Sequence, residues 1–245
     1  MGKKVLVIIF LTTILMLTSC SRKENKINKK NILFSFKPYS YVISDLAEDH
    51  YKTDFLFQDE KDFQVKSLSK AQMKKIKKAD LIVLNGYIED PFVTQLDPYK
   101  DKIVYVSQMI NQVKINVDKK HPYFWLNQDL YMDYAKGLNA RLGEINPYYR
   151  ELYNKKILEL DEKDSQLLGN YVTKNISDQA FFDQKIIYLQ EYFKDHQLTD
   201  PKSKNKAKQK IGSSKDDSIQ IDVWGEKEYS GMFDYFEKNY KQILD

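Results

Sequence analysis

Four short apolar runs, spaced along the first half of the chain with helix-like patterns between them, constrain the fold more than any other feature. They are Asn31–Phe36 (NILFSF), Phe55–Phe57 (FLF), Ala79–Gly86 (ADLIVLNG) and Ile103–Ser107 (IVYVS). Each is nearly continuously apolar instead of alternating, which is the pattern of strands buried on both faces of a parallel sheet. Between them, Tyr39–Ala47 has helical spacing. Ser69-Lys-Ala-Gln72 has the form of a capping box and predicts a helix with Met73 and Ile76 on one face. Strands alternating with helices predict an α/β layer structure.

The second half changes character. Asp129–Leu168 is helical in pattern and interrupted at Asn146-Pro147. Its second part, with Leu152, Ile157, Leu160 and Leu167 amid dense charge, predicts one long amphipathic helix. Lys185–Leu189 predicts a strand, Ser218–Trp224 an alternating strand, and Tyr229–Leu244 a terminal helix. Lys202–Asp217 (KSKNKAKQKIGSSKDD) is basic and of low complexity, and predicts a disordered loop. The expected architecture is therefore α/β, with two lobes built on parallel sheets, joined by a long linking helix, and a shortened second lobe. The boundaries implied are an N-terminal lobe over 31–127, a helical region over 128–170, and a reduced C-terminal lobe over 171–245 containing the loop 202–217.

The amino terminus has a different design. Met1-Gly2-Lys3-Lys4 is a short cationic segment, and Val5–Leu17 is an apolar run broken only by Thr12 and Thr13. That run is short for a membrane span and suits a secretory signal over 1–19. It ends in Leu17-Thr18-Ser19-Cys20, which resembles the lipobox of bacterial lipoproteins. The resemblance implies that Cys20, the only cysteine of the chain, is acylated. Two acyl chains are about what stable anchoring needs. Residues 20–30 then form a polar tether, and the expected location is the extracytoplasmic face of the cell membrane.

Composition removes several function classes. Loss of Lys3 and Lys4 with the signal lowers the formal charge from +4 to +2, which is not the footprint of a nucleic-acid binder. One cysteine excludes a disulfide scaffold and a thiolate metal site. The three histidines (His50, His121, His196) have no zinc-enzyme spacing. No G-x-S-x-G, phosphate-binding glycine loop or nucleophilic cysteine is present, so the chain is expected not to be an enzyme.

Four ordered segments resemble the solute receptors of bacterial zinc and manganese ABC importers, the cluster A-I lipoproteins. Gln58-Asp-Glu-Lys-Asp-Phe-Gln64 is similar to that family's Q-D-P-H-E-Y-E. Ala79–Gly86 with Glu89 is similar to its A-D-L-[IV]-x-x-N-G strand. Pro122-Tyr-Phe-Trp-Leu-Asn127 is similar to P-H-x-W-L-N. Ile221-Asp222, Tyr229 and the segment Met232–Asn239 are similar to its closing T-D…Y-x-x-M-x-x-N-L. The resemblance implies two lobes around a cleft, a divalent cation as cargo, an ABC permease as partner, and a monomer.

Carried over position by position, the implied metal ligands are Lys61, Tyr123, Glu191 (or, one step off, Gln190) and Asp222. Chemistry disfavours this set. A lysine ammonium has no lone pair, and a neutral phenol is a poor ligand for zinc or manganese. Three functions follow as alternatives. One is a divergent receptor with a degenerate metal site, binding zinc or manganese weakly if at all, and kept for a structural, accessory or adhesive role. Another is a working metal receptor using a rearranged set such as His121, Glu191 and Asp222. The last is a surface enzyme. For the first, Lys61 is expected to stand in for the cation, its ammonium within ion-pair distance of Glu191 or Asp222.

Overall fold

The computed structural model describes residues 29–47, 50–110, 123–172, 180–182, 188–189, 192–193, 209–212, 219–223, 225 and 227–244. Its first sheet holds β1 (Lys30–Phe36), β2 (Tyr51–Phe57), β3 (Leu81–Leu84) and β4 (Ile103–Tyr105), in the order β2-β1-β3-β4. Every pairing is parallel: Phe34 lies opposite Phe55 on one side and Val83 on the other, and Val83 opposite Val104. The central strands are buried throughout, with Ile32, Leu33, Phe34, Phe36 and all of Leu81–Leu84 at most 2% exposed. Burying each such side chain stabilises the fold by about 1.5–3 kcal/mol before entropy is counted.

Two helices of the first lobe matter for the site. Helix α1 (Tyr41–Leu46) follows a 3-10 turn at Lys37–Ser40, where Pro38 sits at the start. Helix α2 (Lys70–Lys78) is opened by the predicted capping box: Ser69 Oγ accepts from Gln72 N, and Gln72 Oε1 accepts from Ser69 N at 2.9 Å. The turn after β3 needs Gly86, whose φ of +101° is the left-handed region that side chains avoid.

Helices α3 (Gln128–Ile145) and α4 (Arg150–Val172) lie against each other. Asn127 caps α3, accepting from Leu130 N. Gln128 reaches Asp164 at 2.7 Å and Asn139 reaches Asn154 at 2.9 Å. The break at Asn146-Pro147 is braced by Arg150, whose guanidinium donates to the Gly143 carbonyl. Tyr153 of α4 is buried, and its hydroxyl lies 3.0 Å from His50 Nδ1 and donates to Tyr51 Oη. His50 is thus half-buried and stacked on Tyr149 with ring centroids 3.8 Å apart.

The second sheet is also parallel, with β5 (Ala180–Phe182), β6 (Gln209–Gly212) and β7 (Ile219–Gln220) in that order. Helix α5 (Met232–Leu244) closes the chain. Three expectations need correction here. Gln209–Gly212 is a central strand inside the segment expected to be a loop; pairing on both sides gives its backbone partners, which outweighs its low-complexity composition. Tyr188 and Leu189, expected to end a strand, are helical. The strand at Ile103 stops at Tyr105, because Val106–Met109 turns into a short helix packed under α3. Tyr148 is 86% exposed, whereas Tyr131, Tyr134 and Tyr153 are buried.

Candidate functional site

All four strands of the first sheet point the same way, so their carboxyl ends form one rim, where ligands of open α/β sheets bind. Glu89 is buried in that rim. Its Oε1 accepts from Asn85 N at 2.9 Å and Ser35 Oγ at 3.1 Å, and its Oε2 from Gly86 N at 2.8 Å. Burial pushes the Glu89 carboxyl above its usual range, and the N–H groups of Gly86 and Asn85 pull it partly back. Asn85 Nδ2 extends the network to Tyr39 Oη at 2.8 Å. The tyrosine ring stands edge-on to Trp125, with centroids 5.0 Å apart. This arrangement fixes the turn and the aromatic floor beside it, and each polar partner is inward-facing.

Above that floor the two lobes meet along a seam of aromatic side chains. Trp125 Nε1 donates to the Val223 carbonyl at 2.7 Å, and Tyr240 Oη to the Leu126 carbonyl at 2.9 Å. Tyr41 Oη donates to the Gly225 carbonyl at 3.1 Å, and Gly225 itself has φ +64° with no room for a Cβ against that hydroxyl. Asp45 Oδ2 accepts from Met232 N at 2.7 Å, which caps the start of α5 from the opposite lobe. Burial, opposed by that N–H, raises the Asp45 carboxyl to about 6.

Asp222 lies on this seam. Its Oδ2 accepts from Tyr229 Oη at 2.7 Å and from Lys227 N at 3.0 Å. Its main chain is held as well, the N–H by Asn239 Oδ1 at 2.9 Å and the carbonyl by Tyr235 Oη at 3.0 Å. The rings of Tyr41, Tyr229 and Tyr235 pack on one another with centroids 5.1–5.5 Å apart. Burial, and then the bond to Asp222, holds the Tyr229 hydroxyl well above the ordinary phenol range, so it stays a neutral donor.

The other positions fall apart from it. Tyr123 is 1% exposed, its ring 5.3 Å from that of Trp125 within the aromatic floor. Lys61 is exposed on the helical turn Glu60–Phe63, which Asp59 caps by accepting from Lys61 N and Asp62 N. Among the described residues its ammonium forms no ion pair with Asp222; Glu191, the other partner expected for it, lies outside them. Glu191, Gln190, His121, His196, Trp224 and Cys20 lie outside the described residues. Among the described residues, no three His, Cys, Asp or Glu side chains group so as to hold a metal ion.

With the geometry in place, the chain can be compared with known proteins. The model of the family described as zinc-uptake complex component A, periplasmic, matches residues 32–191, well over half of the chain. The chain belongs to this family. Its members are periplasmic solute receptors of metal uptake, and the fold agrees. The manganese-bound periplasmic metal-binding protein of Candidatus Liberibacter asiaticus matches 89% of this chain and 99% of its own, with a TM-score of 0.63 and 19% identity. Its cadmium-bound form gives the same TM-score at 18% identity. A crystal structure of ZnuA matches 67% of this chain and 68% of its own, with a TM-score of 0.57 and 17% identity. A candidate metal-binding protein of Thermotoga maritima is 31% identical over 98 residues, 40% of this chain. The chain spans 35% of the length of that relative.

The family match covers the first sheet, the aromatic floor and both long helices, but stops before Asp222 and its tyrosines. Those partners were the part missed in the sequence. Tyr229 stood in the closing segment, yet nothing in its spacing says that its hydroxyl meets Asp222. Asp45 gave one usable signal, an acid among apolar helix positions.

Proposed function

We propose that this chain is an exported, lipid-anchored member of the receptor family whose metal position is degenerate, serving an accessory or adhesive role at the outer face of the cell membrane. The observation that carries this reading is the engagement of Asp222. The Oδ2 of its carboxylate is bonded to a neutral tyrosine hydroxyl and a main-chain N–H, so a cation that uses that oxygen competes with donors already in place. Tyr123 offers a packed phenol and Lys61 an ammonium, neither a donor set for zinc or manganese. The signal-like segment at 1–19 and Cys20 support the anchor, and no helix of the described residues is long and apolar enough to cross a membrane. Titration of the mature chain with zinc and manganese tests the proposal. Binding no tighter than about micromolar is expected, each tenfold loss being about 1.4 kcal/mol. Stoichiometric nanomolar uptake sinks the degenerate-site reading.

A second reading is a working receptor that loads zinc or manganese through His121, Gln190 or Glu191 with Asp222 and hands it to an ABC permease. The solved manganese- and cadmium-bound relatives of the same fold favour it. On this reading His121→Ala abolishes tight uptake, whereas on the first it leaves the weak binding unchanged.

A further inference from the structure

The end of the first sheet opposite the rim carries a separate feature. A groove of about 470 Å³ opens between α2 and the starts of β1 and β2, lined among others by Asn31, Lys52, Lys74, Lys75 and Lys78. Lys75 is committed, its ammonium 2.8 Å from both Asp54 Oδ1 and the Phe55 carbonyl. Lys52, Lys74 and Lys78 are exposed and pair with no acid among the described residues. Lysines in the last turn of a helix complement its dipole, which accounts for Lys77 and Lys78. It does not account for Lys52, which comes from a strand, or for Lys74, one turn earlier.

We infer that this lysine-lined groove is a docking surface for anionic lipid headgroups, seating the first lobe on the membrane with its strand starts down. Three observations point there. β1 begins at Lys30, so the tether from Cys20 enters the fold at this end of the sheet. That tether carries Arg22, Lys23, Lys26, Lys29 and Lys30 against the single acid Glu24, so like charge disfavours its seating in the groove. It adds instead to the same positive field. The mature chain as a whole is close to neutral, so the positive charge is a property of this face. Polybasic segments next to a membrane gain affinity with each lysine near an anionic surface. Strands of seven residues, roughly 3.3 Å each, then hold the rim and the seam about 20 Å away from the headgroups.

The inference rests on the lipid-anchor reading for its orientation, but its test does not need the lipid. The full mature chain with Cys20→Ser, which cannot be acylated, is sedimented with phosphatidylcholine vesicles made with or without phosphatidylglycerol. Binding is expected only with phosphatidylglycerol, falling as salt rises. The pair Lys74→Glu and Lys78→Glu should weaken it at least about tenfold. The pair Lys155→Glu and Lys241→Glu, equal in net charge change but on α4 and α5, should cost less than about twofold. Equal loss in both pairs, equal binding to neutral vesicles, or release of the chain by inorganic phosphate at constant ionic strength would each overturn the proposal. Failure of the anchor reading shows elsewhere, as unchanged membrane retention of Cys20→Ala in cells.

Discussion

The hydroxyl of Tyr229 meets the carboxylate of Asp222 at 2.7 Å, seven residues apart in the chain and at the junction of the two lobes. The pair keeps a negative charge on the seam while directing one of its oxygens to a donor inside the protein. A hydrogen bond to a charged acceptor contributes more than a neutral one, about 1.5–3 kcal/mol. Tyr229→Phe should therefore lower unfolding stability by about 1–2 kcal/mol, allowing for partial exposure, as read by urea denaturation. The variant should also bind zinc no more weakly than the parent chain, because a competing donor has gone. A stability unchanged within error would show that Lys227 N alone suffices.

The Asp45 carboxyl gives the seam a pH dependence whose sign can be worked out. Its value in the folded chain is about 6, against an ordinary 3.8, so the folded state holds its proton more tightly than the unfolded state. Its contribution is fully present below about pH 4 and lost as pH rises through about 6. Asp45→Asn keeps an acceptor for Met232 N without the charge. It should stabilise the chain at pH 7 by about 1–3 kcal/mol and flatten the fall between pH 4 and 6. Asp164 is raised to about 6 as well and contributes a slope of the same sign, so the comparison with the parent chain is what isolates Asp45.

Gly86 turns the chain out of β3 with φ +101°, and a Cβ there would run into the Ser107 side chain. Gly86→Ala should cost at least about 2 kcal/mol, from backbone strain and the displaced serine together. Because Gly86 N also donates to Glu89, the damage should reach the rim. Amide exchange at Asn85 and Gly86 should accelerate more than the global loss of stability predicts.

Tyr240→Phe removes the donor to the Leu126 carbonyl at the aromatic floor and leaves that acceptor buried. The expected cost is about 1–3 kcal/mol. Amide exchange in α5 should speed up while β1 and β3 keep their protection. Equal acceleration in both lobes would mean that the seam and the sheet unfold as one unit.

The first lobe was largely legible in the sequence because its signals are local. Near-continuous apolar runs, a capping box at Ser69 and a turn at Asn85-Gly86 each act within a few residues, and β1 to β3 and α2 appear where those signals stand. The second lobe was legible only in part. Gln209-Lys-Ile-Gly212 looks like loop material, and only pairing with residues about 30 positions earlier and 8 later makes it a strand. For the candidate site, the sequence offers positions but not their bonds. Which hydroxyl meets Asp222, and that Tyr123 faces the floor of Trp125 and Phe36, depend on how the lobes close. Spacing along one segment carries no information about that closure.

The acceptors along the seam have an evolutionary consequence. Pro38, Tyr39, Leu126, Val223 and Gly225 receive their tyrosine and tryptophan donors through main-chain carbonyls. A carbonyl is present whatever side chain its residue carries, so the sequence around these acceptors can drift without loosening the join. On the degenerate-site reading proposed above, ligand positions could thus be substituted one at a time without loosening the join, provided the aromatic donors stayed.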